Sequence, residues 1–127
     1  MKKSCNVENM TKLVEALESG NYKQTTGTLC NGESFCCLGV ATYLYGKEKT
    51  YNWETYSSGG FRLFRNLKTN TDLIETNVLL PEVQDWLGID QENPELYFED
   101  GWIQAATLND EGLSFKEIAK AFRETYL

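Results

Sequence analysis

The chain has 127 residues, of which 41% are hydrophobic and 24% charged, a composition typical of a globular domain and not of a disordered chain. It contains no histidine, which excludes Ser-His-Asp and Cys-His dyads and histidine-bearing zinc sites. No apolar run approaches the ~20 residues of a membrane span, and no signal peptide opens the sequence. We therefore expect a soluble, cytoplasmic protein without membrane contact, with four reduced cysteines.

The net charge of −7 is unevenly distributed along the chain. Residues 1–68 hold nine Lys or Arg against six Asp or Glu, whereas residues 69–111 hold eleven acids and no base. The acidic balance argues against binding of duplex nucleic acid, which needs a basic face. A small anionic ligand needs only a local positive pocket. The alternative is that the acids form a solvated surface and the bases are their scattered partners.

The first half of the sequence predicts two helices separated by a loop. Apolar spacing predicts a helix from Asn9 or Thr11 to Ser19, followed by Gly20, which can adopt positive φ. Residues 21–32 are rich in Thr, Gly and Asn, which indicates a loop or short hairpin.

The second helix is predicted to be buried on most sides, because nearly every position in FCCLGVATYLYG is apolar or small. Ser34 is its predicted N-cap and Gly46 its end. Gly39 lowers helix propensity by about 1 kcal/mol relative to Ala, which indicates close packing against another backbone.

The second half predicts shorter elements. Residues 47–60 suit exposed strands or an ordered loop, and FRLFRNLK at 61–68 suits a short helix. Pro81 predicts the start of a helix that ends at Gly88. ELYF and WIQA suit either a hairpin or a helix that begins at Trp102, and we favour the helix.

The last helix is predicted by a capping box of Ser114 and Glu117 and by a periodic apolar face. No repeat, linker or low-complexity tract divides residues 1–127, so one domain is expected. Together the elements predict a mainly helical α+β fold, a single compact domain with a small antiparallel sheet or hairpin.

The residues with intrinsic reactivity do not form a catalytic motif. Cys36 and Cys37 are adjacent at the start of a buried helix, where core packing is favoured over a zinc site because the cysteine spacings form no CxxC pairs. A thiol at a helix N-terminus would be reactive if exposed. Glu99 and Asp100 beside Trp102 offer a weak analogy to a glycosidase cleft. No metal or cofactor site is predicted.

A ligand site is predicted in the basic half, where aromatic, hydroxyl and cationic residues occur together. A nucleotide base needs an aromatic face to stack on, and its phosphates need cations and hydrogen-bond donors. Arg62 and Arg65 would be neighbours on one face if their segment is helical, and the alternative is that they pair with surface acids. The candidate residues are Tyr22, Lys23, Gln24, Thr25 and Thr28 on the first loop, with Trp53, Tyr56, Arg62 and Arg65 further on.

Four motifs in this order resemble a widespread group of small bacteriophage and prophage proteins. They are EALESGNYKQTTGTL, SFCCLGVATYLYG, LPEVQDWLGI and ATLNDEGLSFKEIAKAF, which span about residues 15–122. The group is similar to phage immune-evasion sponges of the anti-CBASS type, which oligomerise and sequester cyclic nucleotide signals without cleaving them. No ligand residue is transferred by this resemblance, because the motifs consist largely of capping and core residues.

The resemblance implies a protein that is not an enzyme and works in the cytoplasm of an infected bacterial cell. Its expected partners are a cyclic nucleotide, with a cyclic dinucleotide favoured, and further copies of itself in a homo-oligomer such as a tetramer. One alternative is a protein-binding inhibitor of a host enzyme that docks through the acidic stretch 69–111. A third hypothesis is an enzyme that works through Cys36, Cys37 or a carboxylate pair.

Overall fold

Helices hold more of the described residues than strands do. The computed structural model describes residues 2–30, 34–49, 51–55, 62–66, 71–74 and 78–127, and only the backbone of those between 51 and 74. The described helices are α1 (Val7–Glu18), α2 (Cys37–Lys49), α3 (Pro81–Leu87), α4 (Ala105–Asp110) and α5 (Phe115–Tyr126). The described strands are β1 (Lys23–Gln24), β2 (Ser34–Phe35), β3 (Tyr51–Thr55), β4 (Arg62–Asn66), β5 (Thr71–Ile74), β6 (Glu95–Phe98) and β7 (Gly101–Gln104).

Helix α1 begins two residues before the earlier of its two predicted starts, because Asn6 caps it. The Asn6 Oδ1 accepts a hydrogen bond from the Asn9 amide at 3.0 Å. At the other end, Gly20 has a φ of 77°, which confirms the predicted left-handed residue after the helix.

The predicted N-cap of α2 at Ser34 was wrong. Strand β2 pairs in parallel with β1, with Lys23 opposite Ser34, so this backbone is extended and the helix begins only at Cys37. The helix also continues past Gly46 to Lys49. A Cβ at Gly39 would collide with the Leu29 carbonyl, which confirms the close backbone packing predicted at this glycine.

The helix predicted over 61–68 was also wrong. Strand β4 pairs antiparallel with β3 and with β5, so its backbone hydrogen bonds go to two neighbouring strands. The strand predicted within 47–60 is confirmed over Tyr51–Thr55, whereas Lys47–Lys49 belongs to α2.

The helix favoured at Trp102 was wrong as well, because β6 and β7 form an antiparallel hairpin. Its turn residues Glu99 and Asp100 have φ of 48° and 63°, the left-handed values of a tight hairpin turn. The helix begins after the hairpin, at Ala105.

The predicted ends of α3 and the predicted cap of α5 are confirmed. Pro81 is the first residue of α3, and Gly88 ends it in the left-handed conformation with a φ of 71°. At α5 the Ser114 Oγ accepts from the Glu117 amide, and the Glu117 carboxylate accepts from the Ser114 amide at 3.1 Å.

The core lies where the helices meet. Fully buried apolar side chains come from all five described helices and include Leu13, Leu38, Val83, Leu108 and Phe122. A bidentate pair of Arg123 with Glu18, at 2.8 Å for both contacts, joins α5 to α1 at the surface.

The fold is a mainly helical α+β domain. None of the described helices has the length and apolar character needed to cross a bilayer.

Candidate ligand-binding surface

The loop that was predicted to hold the ligand is anchored by one buried amide. Asn109, which is fully buried at the end of α4, donates from Nδ2 to the Thr25 carbonyl at 2.7 Å. Its Oδ1 accepts from the Gln24 Nε2 at 3.0 Å and from the Cys37 amide at 3.1 Å. Asn109 therefore joins the loop, the first residue of α2 and α4 at a single point.

Residues next to Asn109 hold the same loop. The Asp110 Oδ1 accepts from the Gly27 amide at 3.0 Å, and the Leu113 carbonyl accepts from the Gln24 Nε2 at 2.6 Å. Both hydrogens of the Gln24 side-chain amide are thus used within the protein, so its role here is to position the loop.

The two threonines of the predicted site also bond within the loop region. The Thr25 amide donates to the Phe35 carbonyl at 2.7 Å, and the Thr28 Oγ1 donates to the Cys30 carbonyl at 3.5 Å. The Thr25 bond holds the loop against β2, and the Thr28 bond closes a turn within the loop itself.

Tyr22 packs in a cluster of three aromatic rings. Its ring centroid lies 5.8 Å from that of Phe35 and 5.9 Å from that of Tyr43, both in edge-on geometry. Burial, and then the nearby Tyr43, raises the pKa of Tyr22 above its ordinary value. Tyr22 and Tyr43 are only half-buried, and each leaves part of its ring accessible.

Two exposed lysines occur near this aromatic cluster, Lys47 by contact and Lys23 by its place in the chain after Tyr22. The backbone of Lys23 is in the β1–β2 pairing, and its side chain makes no hydrogen bond or ion pair with any residue that the structure describes. Lys47 places its Nζ 5.5 Å from the centroid of the Tyr43 ring, a cation–π contact. We call Tyr22, Lys23, Tyr43 and Lys47 the lysine–tyrosine patch.

Sequence reasoning missed Tyr43 and Lys47. They are four residues apart and so share a face of α2, but the helix was predicted to end at Gly46, before Lys47. If the helix had been predicted to continue to Lys49, the two residues would have been recognised as neighbours on one face.

Of the remaining predicted residues, Trp53 lies in β3, and Arg62 and Arg65 lie in β4. Backbone pairing sets Arg62 opposite Thr55 and Arg65 opposite Asn52, with Trp53 opposite Phe64. Positions three apart in a strand alternate between faces, so the helical argument that joined the two arginines does not apply. Strand β3 packs against α2, the helix that carries Tyr43 and Lys47. Tyr56 lies outside the described residues.

The adjacent thiols are buried. Cys36 and Cys37 lie almost wholly in the core, and no disulfide joins any of the four cysteines. Burial, and then the neighbouring Cys36, raises the pKa of Cys37 well above its ordinary value. The neutral Cys37 thiol lies 3.6 Å from the Ala105 carbonyl, and the Gly39 amide donates to the Cys36 sulfur at 3.3 Å. This arrangement favours packing over nucleophilic chemistry.

A family model for a domain of unknown function, DUF8296, matches residues 5–126. The chain belongs to the DUF8296 family. The match begins at Cys5, just before α1, and ends with α5, so the family domain includes every helix described above. Searches among curated proteins and among solved structures found no match for the chain.

Proposed function

We propose that this protein binds a cyclic oligonucleotide second messenger, with a cyclic dinucleotide favoured, and sequesters it without cleaving it. The observation that carries the proposal is the lysine–tyrosine patch. Partly accessible aromatic rings give a base a surface to stack on, and ammonium groups meet phosphodiester charges. The resemblance to phage sponge proteins points to the same ligand class.

The anchored loop supports the proposal because it lowers the entropy lost on binding. Asn109 and Asp110 hold the loop at Thr25 and Gly27 before any ligand arrives. A surface that is already ordered loses less conformational entropy when it closes on a ligand. We include Trp53, Arg62 and Arg65 in the proposed surface, since β3 and β4, the strands that hold them, contact the helix of Tyr43 and Lys47.

The proposal also includes a homo-oligomer such as a tetramer. Among the described residues the lysine–tyrosine patch is open to solvent, because both lysines are exposed and both tyrosines are only half-buried. Small-molecule sites usually bury most of their ligand. A second copy that covers the patch would bury the ligand between protomers and add its own cations.

Titration calorimetry with a panel of cyclic di- and trinucleotides tests the proposal. We expect at least one member of the panel to bind. Lys23→Ala and Lys47→Ala should each weaken that binding by about 2 kcal/mol, because a partly buried phosphate loses a charged partner. Lys116→Ala is the matched control: this exposed lysine lies on α5, outside the patch, and its removal should leave affinity unchanged.

Two results would contradict different parts of the proposal. If no panel member binds, the protein is not a cyclic nucleotide sponge. If a nucleotide binds and both patch variants bind it like the parent, the function stands and the assignment of the patch is wrong.

A further inference from the structure

A cleft of about 360 Å³ opens where the segment before α1, the end of α3 and the end of α5 meet. Its lining comes from these three parts of the chain, namely Lys3, Ser4, Gly88, Ile89, Asp90 and Tyr126. We call it the Tyr126 cleft. None of its lining residues belongs to the lysine–tyrosine patch, so an inference about this cleft does not depend on the cyclic nucleotide proposal.

Backbone contacts fix the walls of the Tyr126 cleft. The Lys3 amide donates to the Thr125 carbonyl at 2.8 Å, which ties the segment before α1 to the end of α5. The Asn6 amide donates to the Leu87 carbonyl at 2.8 Å, and a Cβ at Gly88 would collide with the Asn6 amide. The three parts of the chain are therefore in direct contact, and the cleft has a defined shape before any ligand arrives.

Tyr126 brings a buried polar group to the cleft. The residue is only 5% exposed, and its ring stacks on that of Phe122 with centroids 6.2 Å apart. Its hydroxyl makes no hydrogen bond with any residue in the described part of the chain. Buried polar groups in proteins are nearly always hydrogen-bonded. The Tyr126 hydroxyl therefore takes its partner from the contents of the cleft, either water or a ligand.

The electrostatic surroundings of Tyr126 place its hydroxyl on the cleft side. Burial raises the pKa of Tyr126 to about 12, with smaller contributions from Cys5 and Asp90. A charge effect of this kind requires Asp90, itself a lining residue, to lie near the phenol oxygen. The phenol keeps its proton at neutral pH, so it both donates and accepts hydrogen bonds.

The other polar groups of the cleft are a carboxylate and a second hydroxyl. The exposed side chains of Asp90 and Ser4 bond to no residue that the structure describes. The ammonium group of Lys3 is engaged elsewhere: its Nζ lies 4.7 Å from the centroid of the Trp102 ring and donates to the Glu95 carbonyl at 3.0 Å. The lining residues thus offer one carboxylate and two hydroxyls, without a free cation.

We propose that the Tyr126 cleft binds a small neutral molecule rich in hydroxyl groups, of the size of a monosaccharide. Each hydroxyl of such a molecule donates and accepts, so neighbouring hydroxyls donate to the Asp90 carboxylate while another accepts from Tyr126. The half-buried Ile89 provides an apolar contact for the carbon skeleton. The volume is near the lower end of the range for small-molecule sites, about 300–1,000 Å³, which favours a single sugar ring.

The same set of groups disfavours charged ligands. An anion would meet the Asp90 carboxylate without a free cation to pair with it. An ammonium ligand would pair with Asp90, but it has no acceptor for the hydrogen of the Tyr126 hydroxyl.

Nuclear magnetic resonance titration of the full chain tests the cleft. The probes are D-mannose and D-ribose, with putrescine and inorganic phosphate as charged comparisons. We expect at least one sugar to cause saturable shifts of the backbone amides of Ser4, Gly88 and Asp90. Neither putrescine nor phosphate should shift these amides to saturation.

Two matched pairs of variants identify the groups that hold the sugar. Tyr126→Phe removes only the hydroxyl and should weaken sugar binding about tenfold, whereas Tyr97→Phe removes a hydroxyl that bonds to Asp100 outside the cleft and should have no effect. Asp90→Asn should weaken binding about tenfold by loss of charge-assisted hydrogen bonds. Asp85→Asn, at another exposed carboxylate, should bind like the parent.

Thermal denaturation separates loss of the ligand from loss of the fold. Because the Tyr126 hydroxyl has no partner among the described residues, Tyr126→Phe should melt at the same temperature as the parent or higher. A variant that keeps its melting temperature and loses sugar binding supports a role of this hydroxyl in recognition.

Three outcomes would overturn the proposal. One is that neither sugar shifts the amides of the cleft, which would leave water as the partner of Tyr126. Another is equal sugar binding by the parent, Tyr126→Phe and Asp90→Asn. The third is saturable binding of putrescine that is lost in Asp90→Asn while the sugars do not bind, which would make the cleft a site for organic cations.

Discussion

Asn109 is the residue on which the geometry of the candidate loop most depends. Its side chain makes three hydrogen bonds without contact with water, to Gln24, Thr25 and Cys37. Buried polar groups contribute little net stability when they are paired, but a large penalty follows when one partner is removed. The free energy of unfolding should therefore be sensitive to this amide.

Asn109→Ala should lower the free energy of unfolding by about 2 kcal/mol or more, because the Cys37 amide and the Thr25 carbonyl lose their partner. Urea denaturation measures the change. Asn21→Ala removes an exposed amide at the start of the same loop and should change stability by no more than about 0.5 kcal/mol. Equal stability of Asn109→Ala and the parent would mean that the network is dispensable.

The hydrogen-bond network of Asn109 could not be predicted from the sequence, although the motif ATLNDEGLSFKEIAKAF, which contains this residue, was recognised. The partners of Asn109 at Gln24 and Cys37 lie 85 and 72 residues away in the chain. Periodicity and capping patterns report neighbours within a few residues, so they give no information about such pairs. For the same reason Gln24 was predicted to contact a ligand, whereas its side-chain amide donates to Asn109 and Leu113 of the same chain.

At the scale of elements, helix α2 is positioned by a contact that only glycine allows. The backbone of Gly39 lies directly against the Leu29 carbonyl, at the end of the candidate loop. Two effects oppose each other if this residue becomes alanine. Helix propensity favours alanine by about 1 kcal/mol, whereas forcing an extra methyl group into a packed core costs about 1–3 kcal/mol.

Gly39→Ala should lower the free energy of unfolding, because the obstacle is backbone and cannot rotate away. We expect a net loss of up to about 2 kcal/mol after the gain in propensity, measured by urea denaturation. Lys116→Ala, an exposed change to alanine in α5, should leave stability almost unchanged. A more stable Gly39→Ala would show that α2 and Leu29 can separate at little cost.

Local signals predicted both ends of α3 and the cap of α5, but they did not predict the ends of α2 or the strand β4. Pro81, Gly88 and the Ser114 box act within one turn of chain, and all three were identified from the sequence. The apolar residues of 61–68 fit a helical and a strand spacing equally, and the choice depends on β3 and β5, which pair with this segment. Ser34 was misassigned because a parallel pairing with β1 overrides its capping preference.

At the scale of the whole molecule, charge separates the lysine–tyrosine patch from the exposed aromatic surface of the β6–β7 hairpin. The lysine–tyrosine patch draws its residues from the first half of the chain, where bases exceed acids. The hairpin belongs to the stretch of eleven acids without a base. This separation was visible in the sequence, but the residues that define each surface were not, because the pairs Tyr22 with Tyr43 and Lys3 with Trp102 form only on folding.

A protein that sequesters a messenger acts by binding it and not by turning it over. The bound ligand should therefore stabilise the fold and be recovered chemically unchanged. With a cyclic dinucleotide of the panel at ~100 times its dissociation constant, the free energy of unfolding should rise by about 2.7 kcal/mol, measured as a thermal shift. After long incubation and denaturation of the complex, chromatography should return the intact cyclic molecule. The linear dinucleotide serves as the chromatographic standard and should give a smaller thermal shift. Linear product that accumulates with time, in proportion to protein concentration, would make the protein an enzyme and contradict sequestration.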